Sequence, residues 1–379
     1  MTAGQPGTAP FTLREEHGEL RRTVRAFLAA KSPETEVRRV METAAGYDPD
    51  VWRQMAEQLG LQALAIPAEF GGAGFGTVEL GIVLEEMGRA LLCAPYFSSV
   101  VQAAGALLHC GDDKAKKEFL PGIASGETIA TLAHTEDSGR PDQSGIALRA
   151  SQSGGGWRLD GAKSFVLDGC RADLVVVAAR APRGVTMFLV PGDAPGLTRT
   201  QLSTMDLTRK QARLEFTGTP ARLLGTEGAG WATMTRVLEL TAAALAAEQV
   251  GGAQKVLEMA VDYAQLRVQF GRPIGSFQAV KHRCADMVLA VESARSAAYY
   301  ALWAASELSE DLPIAAGMAK AYCSAAYVRA AADNLQIHGG IGFTWEHPAH
   351  LYLKRAKSSE LLFGDPAYHR RVVAGHLGI

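Results

Sequence analysis

No run of apolar residues in this 379-residue chain approaches the ~20 needed to cross a bilayer as a helix, so a membrane span is not expected. Cysteine is scarce and scattered. Cys93, Cys110, Cys170, Cys284 and Cys323 have no CxxC spacing and no even count, which argues against a disulfide framework and for reduced thiols in the cytoplasm. The nine histidines form no HExxH motif and no Cys/His cluster, so no metal site is expected. Charge of either sign is not in excess. A formal net charge of −2 gives no support for a nucleic-acid surface or a polybasic membrane anchor. The opening "MTAGQPGTAP" lacks a basic segment followed by an apolar one, so no secretion signal is read there. What remains is an ordinary globular composition, 47% hydrophobic and 21% charged, in a chain long enough for two or three domains.

Three regimes follow one another. Residues 11–120 are helix-rich; "LREEHGELRRTVRAFLAA" sets Leu13, Leu20, Val24 and Phe27/Leu28 on one face. Pro67 and the glycines of "LGLQALAIPAEFGGAGFG" mark a loop before the helical period resumes at "TVELGIVLEEMGRALL". From about residue 125 the pattern turns to short alternating runs: "ETIATLAH", "GIALRASQ", "GWRLDGAKSFVLDG", "ADLVVVAAR", "GVTMFLVP" and "QARLEFTGTPARLL". Their β-branched content and Gly/Asp/Pro punctuation suggest an antiparallel barrel or sandwich. After "GTEGAGWATM" the residues 231–305, 312–337 and 347–360 read as long helices, many too apolar for a surface. The expected plan is mainly α with a central β domain: an N-terminal helical domain (1–122), a middle β-barrel or sandwich (123–230) and a C-terminal helical bundle (231–379).

Two polar, glycine-bearing segments interrupt the apolar C-terminal part. In "RVQFGRPIGSFQAVKHRCADM" (267–287), Arg267 ends a helix, where the dipole favours a cation, and an arginine can grip a diphosphate bidentately. Gly271 and Gly275 would let backbone approach a ligand. Taken alone, the loop reads more readily as a helix–helix turn with an aromatic plug. In "LQIHGGIGFTWEHP" (335–348), Gly339, Gly340 and Gly342 follow a helix directly, beside Gln336 and His338. Such a turn can present amides to a phosphate or an adenine edge, or simply cap the helix. It is not the strand-borne GxGxxG of a Rossmann site.

Taken together and in this order, these segments resemble the acyl-CoA dehydrogenase family. The resemblance extends through "LGLQALAIPAEFGGAG", the "TED…D…GI" stretch at 135–146, "LDGAKSFVLDG", "LLGTEGAGWATM" and "LQIHGGIGFTWEHPAHLYLKRAK". It implies a helical domain, a β-barrel-like domain and a four-helix C-terminal domain assembled as dimers or tetramers. It also implies FAD-dependent oxidation of an acyl-CoA thioester to the 2-enoyl-CoA: a carboxylate takes the α-proton and the β-hydrogen leaves as hydride to flavin N5. Electron-transfer flavoprotein or a similar acceptor would then take the electrons. By the same resemblance Arg267, Phe270 and Gln278 hold the diphosphate and adenosine part of FAD across a subunit interface, and the backbone at Gln336, Gly339 and Gly340 completes the other side. Thr135 is assigned to the flavin pyrimidine edge and Phe165 to stacking on the ring. Flavin supplies the redox step; the protein supplies position, a base and hydrogen bonds to the thioester carbonyl.

The usual base is absent. Relatives carry a glutamate before a glycine in a "Tyr-Glu-Gly-Thr" type stretch, whereas "SSELLFGDPAYHRR" offers Phe363 or Gly364, which leaves only a backbone amide for the thioester carbonyl. A second family location falls on Thr241 or Ala242. Glu248 is the leading candidate base, seven residues past Thr241 and only about 20° round the helix. Its apolar neighbours and Gly251-Gly252 suggest room for a ligand, and an unpaired buried carboxylate would be raised toward a useful pKa. Pairing with an arginine between helices is the alternative. Asp365 and Glu360 follow as candidates; Asp365 before Pro366 also reads as turn chemistry. The β region departs from the family too, with Pro141 for a serine and Phe165-Val166-Leu167 for "Trp-Ile-Thr". Three functions therefore stand: a self-sufficient dehydrogenase, a non-catalytic or half-site subunit of a heteromeric one, and a flavin oxidase or monooxygenase on the same scaffold. Arg209 and Arg213 read as a solvated strand face, Lys354, Arg355 and Lys357 as an exposed basic helix side, and His338 and His369 as structural or capping.

Overall fold

The structure, a computed structural model, describes residues 13–379; the stretch 1–12, on which the absence of a secretion signal was read, lies outside the described residues. Helices come first: α1 (Glu15–Lys31), α2 (Glu34–Glu42), α3 (Pro49–Glu57), α4 (Thr77–Arg89), α5 (Ala104–His109) and α6 (Asp113–Ala124). Seven strands follow: β1 (Ala130–Ala133), β2 (Arg149–Ser153), β3 (Gly156–Leu167), β4 (Leu174–Ala181), β5 (Gly184–Pro191), β6 (Leu197–Gln201) and β7 (Gln211–Leu224). Five helices end the chain: α7 (Gly230–Leu266), α8 (Gln278–Ser306), α9 (Leu312–His338), α10 (Ala349–Leu361) and α11 (Pro366–Leu377). Among the described residues no helix is long and apolar enough to cross a membrane, and no cluster of His, Cys, Asp or Glu is placed to hold a metal. None of the five cysteines is in a disulfide.

The chain folds into two compact units, and neither is one continuous stretch. The first comprises 35–75 and 93–241; the second comprises 13–34, 76–92 and 242–379. In the β-containing unit, β4, β5, β7 and β3 pair antiparallel in turn, β3 pairs β2, and a bridge from Arg149 to Arg180 returns β2 to β4. The sheet thereby closes on itself, and only the added strands β1 and β6, each with one neighbour, keep an unpaired edge. β1 adds parallel to β4, so the barrel is not purely antiparallel. Val175, Val177, Phe188, Leu214 and Phe216 fill its interior, while Val176, Met187, Leu107, Leu120 and Met234 form a second core. β4 is buried on both faces, which is why "ADLVVVAAR" reads as a continuous apolar run. β6 escapes sequence reading because "LTRTQ" pairs with β7 alone and is half exposed, with no apolar alternation. Arg209, expected on a solvated face, is instead 7% exposed with its guanidinium over the Phe97 ring at 5.5 Å.

The helical unit is built on α4, α7, α8 and α9. Helix α7 has 37 residues, about 55 Å at 1.5 Å per residue. Its glycines are packing residues. A Cβ on Gly251 would lie 1.7 Å from the Glu85 carbonyl oxygen, and one on Gly88 would lie 2.0 Å from that of Glu248. α4 and α7 thus meet backbone to backbone. A Cβ on Gly252 would lie 2.4 Å from the ring of Tyr327, so the ligand space expected beside Gly251-Gly252 is filled by protein. On α4 the buried Glu85 and Glu86 meet three arginines: Arg21 at 2.8 Å from Glu85, Arg25 at 2.7 Å from Glu86, and Arg295 on Glu85. The Tyr299 hydroxyl donates to Glu85 at 2.7 Å, and burial followed by that negative charge holds it well above the usual phenol range. In α1, Val24 and Leu28 are buried as the periodicity requires, but Leu13 precedes the helix and is 47% exposed. Helix α11 was not anticipated, although its start is written in Asp365-Pro366. The Asp365 carboxylate accepts the Tyr368 amide at 2.7 Å, with proline at the first helical position.

Candidate functional site

The loop after α7 is a two-residue hairpin. Val268 and Gln269 pair with Arg272 and Pro273, and the turn residues Phe270 (φ 53°) and Gly271 (φ 77°) are both left-handed. Such a turn suits glycine; a phenylalanine in it stores on the order of 1–3 kcal/mol of strain. Its ring is 92% exposed. Phe277 meets that ring edge-on at 6.1 Å and lies under the Arg272 guanidinium at 4.1 Å, which fixes the hairpin against the start of α8, where Gln278 stands exposed. Arg267 is exposed and makes no ion pair among the described residues. A Cβ on Gly271 would meet nothing within 4 Å, so its backbone is open to a ligand. Gly275 is not: its Cβ would lie 2.9 Å from the Ala264 carbonyl, and it serves the packing of the loop on α7.

The second turn caps α9. Gly339 (φ 63°, ψ −139°) sits in a region closed to side chains, and its amide donates to the Gln336 and Leu335 carbonyls. Neither Gly339 nor Gly340 would bring a Cβ within 4 Å of anything, whereas Gly342 is packed against Leu335 and His338. Gln336 is exposed beside them. His338 stacks on Tyr263 at 4.2 Å and bonds the Asn334 carbonyl at 2.9 Å, and burial pushes its pKa down, which suits a structural role. The unpaired Arg267 guanidinium can donate to a diphosphate, the outward Phe270 ring can cover an adenosine, and the open Gly340 backbone allows close approach, while the Gly339 amide is spent on the cap.

Thr135 and Phe165 belong to the β-containing unit, and the other six cofactor candidates to the helical one. The Thr135 carbonyl accepts the Ser164 amide at 2.9 Å. Phe165 (φ 58°) lies in the bulge of β3 between Lys163 and Val166 and is 52% exposed. The bulge turns its ring outward. Its flanks are pinned from below. Lys163, with no exposure, donates to Glu136 at 2.6 Å; burial pulls its pKa down to about 8 against the attraction of that carboxylate. Glu136 also accepts the Leu148 amide at 2.9 Å, and Asp137 accepts from Ser164 and Arg213, each at 2.5 Å.

Glu248 is buried on α7 and accepts from the Arg355 guanidinium at 3.1 Å; the two side chains are 6% and 3% exposed. This is the pairing left open as the alternative for Glu248, and it corrects the reading of Arg355 as an exposed basic residue. The helix α10 that carries Arg355 shows no such signal in "LYLKRAKSS", where one arginine among lysines cannot be told from a surface residue. Asp365 caps α11, and Glu360 is paired with Lys357. Phe363 (φ 60°) and Gly364 (φ 101°) form the turn between α10 and α11. Thr241 is fully buried, and its hydroxyl has no hydrogen-bond partner among the described residues.

Models of the acyl-CoA dehydrogenase N-terminal, middle and C-terminal domains match residues 14–127, 131–218 and 228–378. The chain is 36% identical over 354 residues to acyl-CoA dehydrogenase IpdE2 of Mycolicibacterium smegmatis, covering 93% of this chain and 96% of that protein. Among solved structures it is similar to the ChsE4–ChsE5 complex from Mycobacterium tuberculosis (TM-score 0.89, 31% identity, 97% of this chain and 98% of that one). It is equally similar to the Tcur3481–Tcur3483 steroid ACAD (TM-score 0.88, 31% identity, 97% and 99%). Butyryl-CoA dehydrogenase from Megasphaera elsdenii superposes with a TM-score of 0.91 at 25% identity, over 97% and 100% of the two chains.

Proposed function

The chain belongs to the acyl-CoA dehydrogenase family, a family of FAD-dependent oxidoreductases, and from that premise we propose that it α,β-dehydrogenates a bulky acyl-CoA thioester as one subunit of an oligomer. The observation that carries this reading is the outward presentation of Arg267, Phe270 and the bare Gly339-Gly340 backbone. A strained aromatic residue 92% exposed beside an unpaired guanidinium is a binding edge awaiting a second surface. A second protomer supplies that surface, in a dimer or tetramer. Arg267 then grips the diphosphate, Phe270 and Gln278 cover the adenosine part, and Gln336, Gly339 and Gly340 meet it with backbone groups. Thr135 and Phe165 serve the flavin end. FAD, when bound, takes up the two electrons and the β-hydrogen of the acyl chain.

Glu248 is the base in this proposal and Arg355 its orienting partner, since a guanidinium at 3.1 Å fixes the carboxylate rotamer. A bulky, ring-bearing acyl group is supported by the likeness to a steroid ACAD. Electron-transfer flavoprotein is proposed as the acceptor, and five thiols outside any disulfide agree with a reducing cytoplasm. A second reading is favoured by the ion pair itself together with Phe363 in the usual base position: the chain is the half-site subunit of a heteromer, as two-chain relatives such as ChsE4–ChsE5 suggest.

The visible spectrum of the chain expressed alone separates the two. A flavin band that a steroid side-chain CoA thioester bleaches anaerobically supports the self-sufficient enzyme. Glu248→Gln would break the buried Glu248–Arg355 ion pair from one side, a change that costs about 3–5 kcal/mol. The neutral double variant Glu248→Gln/Arg355→Gln is therefore run beside it. Retained bleaching in either flavin-loaded variant removes Glu248 as base; a colourless wild-type chain favours the half-site subunit.

A further inference from the structure

The first half of helix α9 is largely apolar, yet in it Lys320 is buried with no exposure. Its ammonium meets no carboxylate within hydrogen-bond reach. It donates instead to the Glu360 carbonyl, the Gly364 carbonyl and the Ser324 hydroxyl, each at 3.1 Å. An ammonium has three donors and all three are used. Two of the acceptors bracket the segment 361–363, where relatives carry their base and this chain carries Phe363. Ser324 in turn accepts from the Gln249 amide at 3.0 Å, next to Glu248 on α7.

A second side chain holds the same segment. His369 Nε2 lies 3.0 Å from the Phe363 carbonyl oxygen. A carbonyl can only accept, so Nε2 carries the proton. Burial, with the Lys320 charge adding to it, pushes the imidazole pKa down to about 4, which keeps the ring neutral. The Phe363 carbonyl and the Gly364 N–H are the two ends of one planar trans peptide and point in opposite directions. Anchoring the oxygen therefore aims the N–H away from His369, and a hydrogen bond to the oxygen strengthens the N–H as a donor. That N–H makes no hydrogen bond among the described residues. A side chain at position 364 is excluded by φ 101° and by Tyr368, 2.3 Å from where a Cβ would stand.

We propose that Lys320 and His369 are positioning residues that clamp the α10–α11 segment so that the Gly364 amide is held as the hydrogen-bond donor to the thioester carbonyl. The proposal rests on the reading of the chain as an acyl-CoA dehydrogenase. A packing role alone would be met by methionine or leucine, without the cost of burying an ammonium. The charged and titratable groups around Lys320 are Cys323 on its own helix, Glu360 from α10, and Asp365 and His369 from α11; α7 offers the neutral Gln249. Burial lowers Lys320 to about 8, so its cation is lost as pH rises past that value.

The test compares two probes on the FAD-loaded oligomer: a steroid side-chain CoA thioester, and the thioether analogue in which CH2 replaces the carbonyl. Only the thioester can use the amide donor. In the wild type the thioester binds about tenfold tighter. In Lys320→Met and His369→Leu that preference falls below about threefold while thioether binding is unchanged, and flavin reduction per bound FAD slows roughly 10²-fold. His369→Gln, whose amide keeps an N–H where Nε2 stood, recovers most of the preference. The wild-type rate declines above about pH 8, and Lys320→Met lacks that decline. An undiminished preference in both Lys320→Met and His369→Leu overturns the clamp while leaving the enzyme reading intact. Equal loss of both probes in the variants also overturns it, since that marks structural damage. Failure of the wild type to bind either probe overturns the enzyme reading, and the clamp with it.

Discussion

Replacing Gly251 by alanine is a severe test of the helical unit. The new Cβ would stand 1.7 Å from the Glu85 carbonyl oxygen, 2.6 Å from its carbon and 3.0 Å from the Arg89 amide nitrogen. Non-bonded heavy atoms prefer about 3.5–4.0 Å, so α4 and α7 must separate by roughly 2 Å at this point. No rotamer change relieves the contact, because every atom involved is backbone. The separation also pulls on the Arg89–Glu258 pair at this crossing and on the buried Glu85 held by Arg21, Tyr299 and Arg295. Overpacking alone costs about 1–3 kcal/mol where side chains yield, and here they cannot, so at least about 3 kcal/mol is expected. At roughly 2–4 °C per kcal/mol for a chain of this size, the thermal midpoint should drop by about 6–12 °C, with flavin content falling alongside. Gly375→Ala on α11, where a Cβ would meet nothing within 4 Å, is the control and should be neutral or stabilising by up to about 1 kcal/mol. A Gly251→Ala protein within about 0.5 kcal/mol of wild type in urea unfolding would refute the backbone-to-backbone contact.

Other expectations are equally direct. Gly340→Ala should leave the thermal midpoint of the flavin-free chain unchanged but, on the proposed FAD contact, lower FAD affinity at least tenfold in a fluorescence titration; Gly339→Ala should also cost about 1–3 kcal/mol in strain. Arg295→Met strips a cation from buried Glu85 and should destabilise by about 3–5 kcal/mol in urea unfolding, whereas the exposed Arg53→Met should change stability by less than about 0.5 kcal/mol. His369 is held neutral to about pH 4 in the folded state against an ordinary 6.5. The unfolded chain therefore takes up a proton first as pH falls, so stability is intact above 6.5 and is lost between 6.5 and about 4, roughly 3 kcal/mol at about 1.36 per pH unit. His369→Gln should flatten that part of the acid-unfolding curve; an unchanged curve would mean that the imidazole is not buried neutral.

The motifs made the two glycine-bearing turns legible because they are local: a hairpin with Phe270-Gly271 and a glycine cap at Gly339 are each written in a few consecutive residues. What periodicity missed was non-local or polar. β6 pairs through its backbone alone, and no apolar rhythm marks it. Arg355 and Arg209 look like surface residues in one dimension, and only tertiary packing buries them against Glu248 and Phe97. Gly251-Gly252 suggested room for a ligand, yet a glycine makes room for whatever comes near, and here that is α4 and Tyr327. Lys320 left one trace: a lone lysine in the apolar stretch "GMAKAYCSAAY", well before the polar end of the helix at Arg329, Asp333 and Gln336. A lysine in such a stretch reads as buried whether or not it has a task, and the pattern cannot tell which carbonyls it will find.

The interleaved chain path of the helical unit has a consequence for how the protein is made. Helix α4 leaves the ribosome with Glu85 and Glu86 and the bare face of Gly88, while Arg295, which closes on Glu85, follows 210 residues later. At about 5–20 residues per second, that is roughly 10–40 s of synthesis. Until α7 follows, α4 has a glycine seam with no helix to enter, and until α8 follows it has two carboxylates that lack one of their cations. A nascent chain halted before α7 should therefore bind chaperones through α4 and remain protease-sensitive there, and the last part of the message decides when the first quarter of the protein becomes folded.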